Sequence, residues 1–285
     1  MARRYVNVST ADLDVLDESE DSSAEGIGEK LLISKENPYR KRLKLWNTVV
    51  AIVQFISFAA LLTISLVRLS DAKHVGLWLD VDRGMAIRDL GTYPLFATLL
   101  PFPFITAIFH LLARANVDDY YNQVLNNGTN RLRWIEYSIT NGLMTFSLCV
   151  LAGARGVVLL VVNLLANCLM QAFGYFHENL VHSQPPGSRT PKYILFGFLP
   201  WLQTWITVIT YYAVNFSTAT LSDGFAIIGS LLLSLAFVFP LVWYYGKPNF
   251  SENNYRLEMM YIFLSLTAKL YLDWTVVIGN WVETS

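Results

Sequence analysis

Charge and sulfur are both scarce in this chain. Asp, Glu, Lys and Arg make up only 15% of its 285 residues and nearly cancel, 21 basic against 22 acidic for a formal net charge of −1. A balance so close to neutral leaves no basic footprint for nucleic acid, which is therefore not an expected partner. The two cysteines, Cys149 and Cys168, fall inside apolar segments, so they read as packing residues rather than a disulfide framework. No His/Cys/Asp/Glu spacing suits a metal, and there is no nucleophile elbow or phosphate-binding loop, so the chain is not expected to be an enzyme. No apolar run precedes a small-residue cleavage site near the start, which argues against a signal peptide.

What the chain does have is greasy surface: 54% hydrophobic residues, 14% of all residues being aromatic. That is too apolar for an ordinary soluble domain and describes a polytopic membrane protein, whose first partner is lipid. Residues 1–38 differ in kind. Asp12, Asp14, Asp17, Glu18, Glu20, Asp21, Glu25 and Glu29 alternate with Ser and Gly, as in a disordered acidic tail. From residue 39 to 285 the pattern is one transmembrane domain of seven apolar blocks, each close to the length that spans a bilayer. They run Trp46 to Val67, Pro94 to Ala113, Trp134 to Ala152, Gly156 to Tyr175, Tyr193 to Val214, Phe225 to Tyr245, and Glu258 to Trp281. The expected fold is an all-α seven-helix bundle. A short β element is expected between the first two helices, where Val75 to Val81 partly alternates.

Basic residues give an expected orientation. Arg40, Lys41, Arg42, Lys44, Arg114, Arg131, Arg133, Arg189, Lys192, Lys247 and Arg256 fall on one side, against Arg68, Lys73, Arg83, Arg88 and Arg155 on the other. The richer side faces the cytoplasm, which puts the N-terminus inside and the C-terminus outside.

Lys269 stands out because it lies in the middle of the last apolar block. Burying an ammonium at mid-membrane costs on the order of 3 kcal/mol, so such a lysine is a functional-site hypothesis by default. Its bland alternatives are a structural ion pair with Glu136 or Asp273, or a side chain that snorkels outward. A central position makes snorkelling hard. Glu136 lies about two turns into the third block, and helical side chains point back toward their own N-terminus, so the Lys269 amine can reach toward it. Mutual pairing would let both stay charged in a low dielectric.

Other ionisable groups are few. Asp273, four residues after Lys269, shares its helix face, and reads equally as a hydrated group near the outer interface or as a proton-transfer group. His110 reads first as a hydrogen-bonded packing residue and second as a proton relay. His177 and Glu178, at the cytoplasmic end of block four, read as solvated, with Glu178 a candidate end-group for a proton path.

A seven-helix bundle with a central lysine on the last helix, a carboxylate on the third and abundant aromatics suggests retinal bound as a Schiff base. The chain resembles the heliorhodopsins over about residues 45 to 281. The resemblance is carried by Arg133-Trp134-Ile135-Glu136-Tyr137-Ser138, Phe173-Gly174-Tyr175-Phe176-His177-Glu178, Pro200-Trp201, Asn254-Tyr255, and the run Tyr261 to Lys269. It implies that all-trans retinal is attached to Lys269, that Glu136 is its counterion, and that Ser265 lies beside the Schiff base where microbial pumps carry Asp. It further assigns Thr106, Tyr137, Asn141, Met170, Phe239 and Trp243 to the retinal pocket, and implies a homodimer.

This chain departs from the family in two ways besides the addition of its long acidic tail. Gln54 is matched to a first-helix histidine of many heliorhodopsins, so a proton acceptor shared with His110 would be incomplete. Asp273 has no counterpart in the family pattern. The expected function is a light-absorbing photoreceptor whose Schiff base isomerises and deprotonates on illumination, signalling to a cytoplasmic partner. The alternative is a light-gated channel that conducts protons passively through Glu136, Asp273 and Glu178.

Overall fold

Pro38 fits the first turn of a helix, where its missing N–H is not needed, and the apolar stretch that follows continues as one helix, α1 (Pro38–Val67). A computed structural model of the protein describes residues 37–67, 74–79, 88–94, 99–182, 192–216 and 251–282. Most of the acidic tail and the whole sixth apolar block, with Phe239 and Trp243, lie outside them.

After α1 come two antiparallel strands, β1 (His74–Leu79) and β2 (Arg88–Pro94). Val75 pairs with Tyr93 and Gly76 with Thr92, and the register slips between Leu77 and Trp78. The remaining long helices are α2 (Pro101–Arg114), α3 (Arg131–Leu151), α4 (Val157–His182), α5 (Lys192–Phe216) and α6 (Ser251–Val282). α6 is the seventh block of the sequence.

Helices consecutive in sequence pack as neighbours from α1 through α5, and α6 closes against α1. Chain direction alternates. The end of α2 meets the start of α1 through Arg114 Nε and Thr48 Oγ1 at 2.9 Å. At the opposite side the end of α5 meets the end of α3, where Asn215 Nδ2 donates to the Ala152 carbonyl at 2.7 Å. The break between α3 and α4 depends on Gly153, whose φ of +105° disfavours any side chain.

Helix starts fall several residues before the apolar blocks in α1, α3 and α6, because a helix continues through its interfacial turns. In α3 the Asn130 side chain caps the helix by accepting from Arg133 N at 3.0 Å. The chain between α2 and α3 turns through Asn116, Asp118 and Asp119, all at positive φ, residue types that tolerate it. This tight reversal tucks Tyr120 and Tyr121 back under the bundle, where both are buried.

Among the described residues two helices, Pro38–Val67 and the Val157–Leu180 part of α4, are long and apolar enough on composition to cross a membrane. α2 is apolar but short, at 14 residues, and the other described helices carry more polar or aromatic residues. In α3 these are turned inward: Arg133, Glu136, Tyr137, Thr140, Thr145 and Ser147 are all buried. Apolar residues such as Ile56, Ile139, Leu165, Leu199 and Ile206 are exposed on the outside. The bundle thus keeps its polar groups inside, among apolar packing, and shows apolar side chains outward, the arrangement expected in lipid.

Candidate functional site

The apolar core and a polar channel meet at Lys269. Its side chain is 1% exposed, on the face of α6 that turns toward α2 and α3. Nζ donates to Glu136 Oε1 and to Thr106 Oγ1, the latter at 2.8 Å. Thr106 in turn donates to Glu136 Oε1 at 2.9 Å, and Thr140 Oγ1 donates to the Glu136 backbone carbonyl at 3.0 Å. The ammonium also lies 5.5 Å from the centre of the Tyr137 ring. Glu136, Thr106 and Thr140 are all buried. A buried cation so matched is held by charge, hydrogen bonds and an aromatic face together.

On the far side of this pair from Asp273, a cavity of about 30 Å³, enough for about two ordered waters, opens between α1, α2, α3 and α6. Asn47, His110, Tyr120, Asn130, Arg133, Glu136, Tyr137, Glu258 and Ser265 line it. A continuous hydrogen-bonded path runs along it: His110 Nδ1 and Asn47 Oδ1 are 2.7 Å apart, Asn47 Nδ2 donates to Tyr120 Oη at 3.2 Å, and Tyr120 Oη donates to Glu258 Oε1 at 3.3 Å. Burial, reinforced by the Glu258 carboxylate, pushes the Tyr120 phenol well above its ordinary pKa, so it stays a neutral donor.

The path ends in a buried ion triad. Arg133 bridges Glu178 of α4 and Glu258 of α6. Asn130 donates from its side chain to Glu258 at 2.7 Å and from its backbone to Glu178 at 2.9 Å, and Trp134 Nε1 donates to Glu178 at 2.6 Å. The guanidinium lies over the Tyr261 ring at 4.1 Å. One arginine against two carboxylates leaves a formal excess negative charge at this end of the bundle.

The structure therefore brings Lys269, Glu136, Thr106, Tyr137 and Ser265 together. Asn141 and Met170 are half-buried on α3 and α4, and Phe239 and Trp243 lie outside the described residues. Several sequence expectations need correction. Glu178 and His177 are not solvated: each is 1% exposed, because α4 continues to His182 and packs its last turns against α3. Asp273 is not hydrated at an interface: it is fully buried, since α6 runs on to Val282. His110 is engaged by Asn47 of α1, and Gln54 lies two turns further along that helix. Asn47, Asn130 and Glu258 escaped the sequence reading, although a polar residue at the mouth of an apolar block is a usable signal for each.

Comparison with other proteins bears on the fold and the family. In its fold the chain is similar to a microbial rhodopsin, the crystal structure of a cyanorhodopsin from the cyanobacterium Calothrix sp. NIES-2098, at a TM-score of 0.54, 16% identity, 82% coverage of this chain and 93% of that one. No curated protein sequence matches. The heliorhodopsin family model matches residues 43–281, so the chain belongs to the heliorhodopsin family. Membership makes it a membrane protein of the retinal photoreceptor type, with retinal the implied chromophore.

The residues present fit that group. A buried amine is available to take the aldehyde, a carboxylate beside it can balance a positive nitrogen, and Ala268 and Leu272, flanking Lys269, share an apolar cluster with Trp205, against which Trp201 also packs.

Proposed function

We propose that the chain is a light-absorbing photoreceptor in which Lys269 is the attachment site for all-trans retinal and Glu136 is the counterion. The observation that carries this reading is the buried hydrogen-bonded unit of Lys269, Glu136 and Thr106. Retinal, held through its aldehyde at the Lys269 amine, would supply light absorption and photoisomerisation.

The protein's part is electrostatic. Glu136 holds the positive nitrogen, and Thr106 keeps the carboxylate oriented. Separating this pair in a low dielectric raises the energy of the charged form, which favours loss of the proton. Glu136 is the nearest acceptor, and the water-sized cavity with His110, Asn47 and Tyr120 leads from it toward the Arg133 triad. By the basic-residue bias that triad faces the cytoplasm, where a change in its charge could be sensed by a signalling partner. A homodimer belongs to the same reading.

The second reading, passive light-gated proton conductance, is favoured by the polar path and by the buried Asp273. A voltage-clamp recording under a proton gradient separates the two: an illumination-dependent current supports conductance, and its absence supports signalling. For the reading as a whole, purified protein given all-trans retinal should acquire a visible absorption band that hydroxylamine bleaches in the light. A preparation that stays colourless contradicts it.

A further inference from the structure

Beyond Lys269, away from the polar cavity, Asp273, Gln54 and Ser57 stand out among the described residues as buried polar side chains with no hydrogen-bond partner. Both oxygens of Asp273, both polar atoms of Gln54 and the hydroxyl of Ser57 are unsatisfied, with side chains 0%, 0% and 3% exposed. Unpaired buried groups of this kind are rare, and a carboxylate left bare is the costliest of them.

The three lie at matching depth on facing helices. Tyr39 stacks on Tyr255 and Trp46 meets Phe263 edge-on, each with centroids 4.9 Å apart. Between these contacts α1 advances seven residues and α6 eight, so the helices run parallel and in step. Carried ten or eleven residues further, Ser57 falls level with Asp273, and Gln54 lies one turn before it. Gln54 and Ser57 also belong to the one buried stripe of α1, which carries no titratable side chain. On the way out, Leu61 joins Leu272, Val276 and Val277 in an apolar cluster that closes the site.

Charge bookkeeping around Asp273 is equally specific. Among the described residues Lys269 is the charged group that faces it, one turn away on α6, and Lys269 is already matched by Glu136. On α2 the buried titratable side chain is His110, which is engaged with Asn47. A second full negative charge next to a neutralised pair has nothing to balance it, whereas a neutral carboxyl bonded to water satisfies every orphaned atom present.

We infer that Gln54, Ser57 and Asp273 form a second, hydrated proton-exchange site on the outer side of Lys269, in which Asp273 carries a proton in the dark. The inference rests on the reading of Lys269 as the retinal site for its role, though not for its existence. Once the Glu136 charge pair is separated and the nitrogen has given its proton to Glu136, the O–H bond of the Asp273 carboxyl breaks, its electron pair stays on the carboxylate, and the proton passes through water held by Gln54 and Ser57 to form a new N–H bond on the Lys269 nitrogen. The new carboxylate then faces the Lys269 nitrogen from the side opposite Glu136. Leu61 and its neighbours close the site from the outer surface, so the proton's way lies toward the nitrogen.

The test is infrared spectroscopy of the full chain labelled with carbon-13 aspartate, with and without retinal. The expected result is a protonated-carboxyl stretch in the retinal-free protein that is absent from Asp273→Asn and moves to lower frequency in D2O. Gln54→Leu should slow that isotope response several-fold, a readout that does not need the Asp273 variant to fold. In the pigment, Asp273→Asn should leave the absorption maximum unmoved while Glu136→Gln shifts it to longer wavelength. No carboxyl band, a band indifferent to D2O, or a red shift in Asp273→Asn equal to that of Glu136→Gln would each overturn the inference. If no pigment forms but the band is present, the retinal reading fails and the proton site stands.

Discussion

Thr106 gives its hydroxyl proton to Glu136 at 2.9 Å and receives one from Lys269 at 2.8 Å, so one side chain of α2 joins the ion pair of α3 and α6. Replacing it with valine keeps the shape and deletes both bonds. Because the groups left behind are buried, Thr106→Val should cost about 1–3 kcal/mol of stability. Thermal bleaching of the pigment, and a faster reaction with hydroxylamine, measure it; unchanged rates would mean that Thr106 only fills space.

Trp134 occupies the room that Gly174 leaves. A methyl group on Gly174 would come within 2.2 Å of the indole ring, far inside contact distance. The same indole donates to Glu178 at 2.6 Å, one turn along α4, so its ring cannot move aside without releasing that bond. Gly174→Ala should therefore lower the melting temperature in detergent, with a loss of about 1–3 kcal/mol from overpacking. Trp134→Phe in the same background should recover part of the loss only if the clash, rather than the lost bond, dominates.

Arg133 is the sole cation among the described residues that touches both Glu178 and Glu258. Arg133→Gln strands two buried carboxylates, and breaking one such pair costs about 3–5 kcal/mol. The single variant should express poorly or melt early. Adding Glu178→Gln and Glu258→Gln should restore folding, a rescue that denaturation curves of the triple variant would show. A triple variant no more stable than the single would place the arginine's contribution in its stacking on Tyr261 instead.

Much of this site was legible in the sequence, and what was missed has a physical reason. Lys269 and Glu136 stood out because a charge inside a long apolar block has few explanations, and helix geometry alone aimed one at the other. Glu178 was misread because helix ends are poorly marked: the block's hydropathy fades near Tyr175, but the helix continues to His182 and is buried by packing that hydropathy does not register. Asn47 was missed because which polar residue of the α1 stripe meets His110 depends on how far α1 slides along α2. That offset is set by contacts such as Arg114 with Thr48, which no single segment reveals.

The distinction between Asn47 and Gln54 can itself be checked. Asn47→Ala removes the partner of His110 and of Tyr120 together, so it should alter the rate at which the illuminated pigment recovers, read by flash photolysis. Gln54→Ala should leave the His110 contact in place, and nitrogen-15 NMR of the imidazole should show its resonances moved by the first substitution and unmoved by the second.

The most direct measurement for the account as a whole is the visible absorption spectrum of Lys269→Ala beside wild type, each folded to the same extent and incubated with all-trans retinal. Wild type should take up the chromophore and turn coloured, while the variant retains only the absorption of free retinal. A variant as coloured as wild type would show that the pigment is not held by this amine, and would contradict the assignment of Lys269 and Glu136 together.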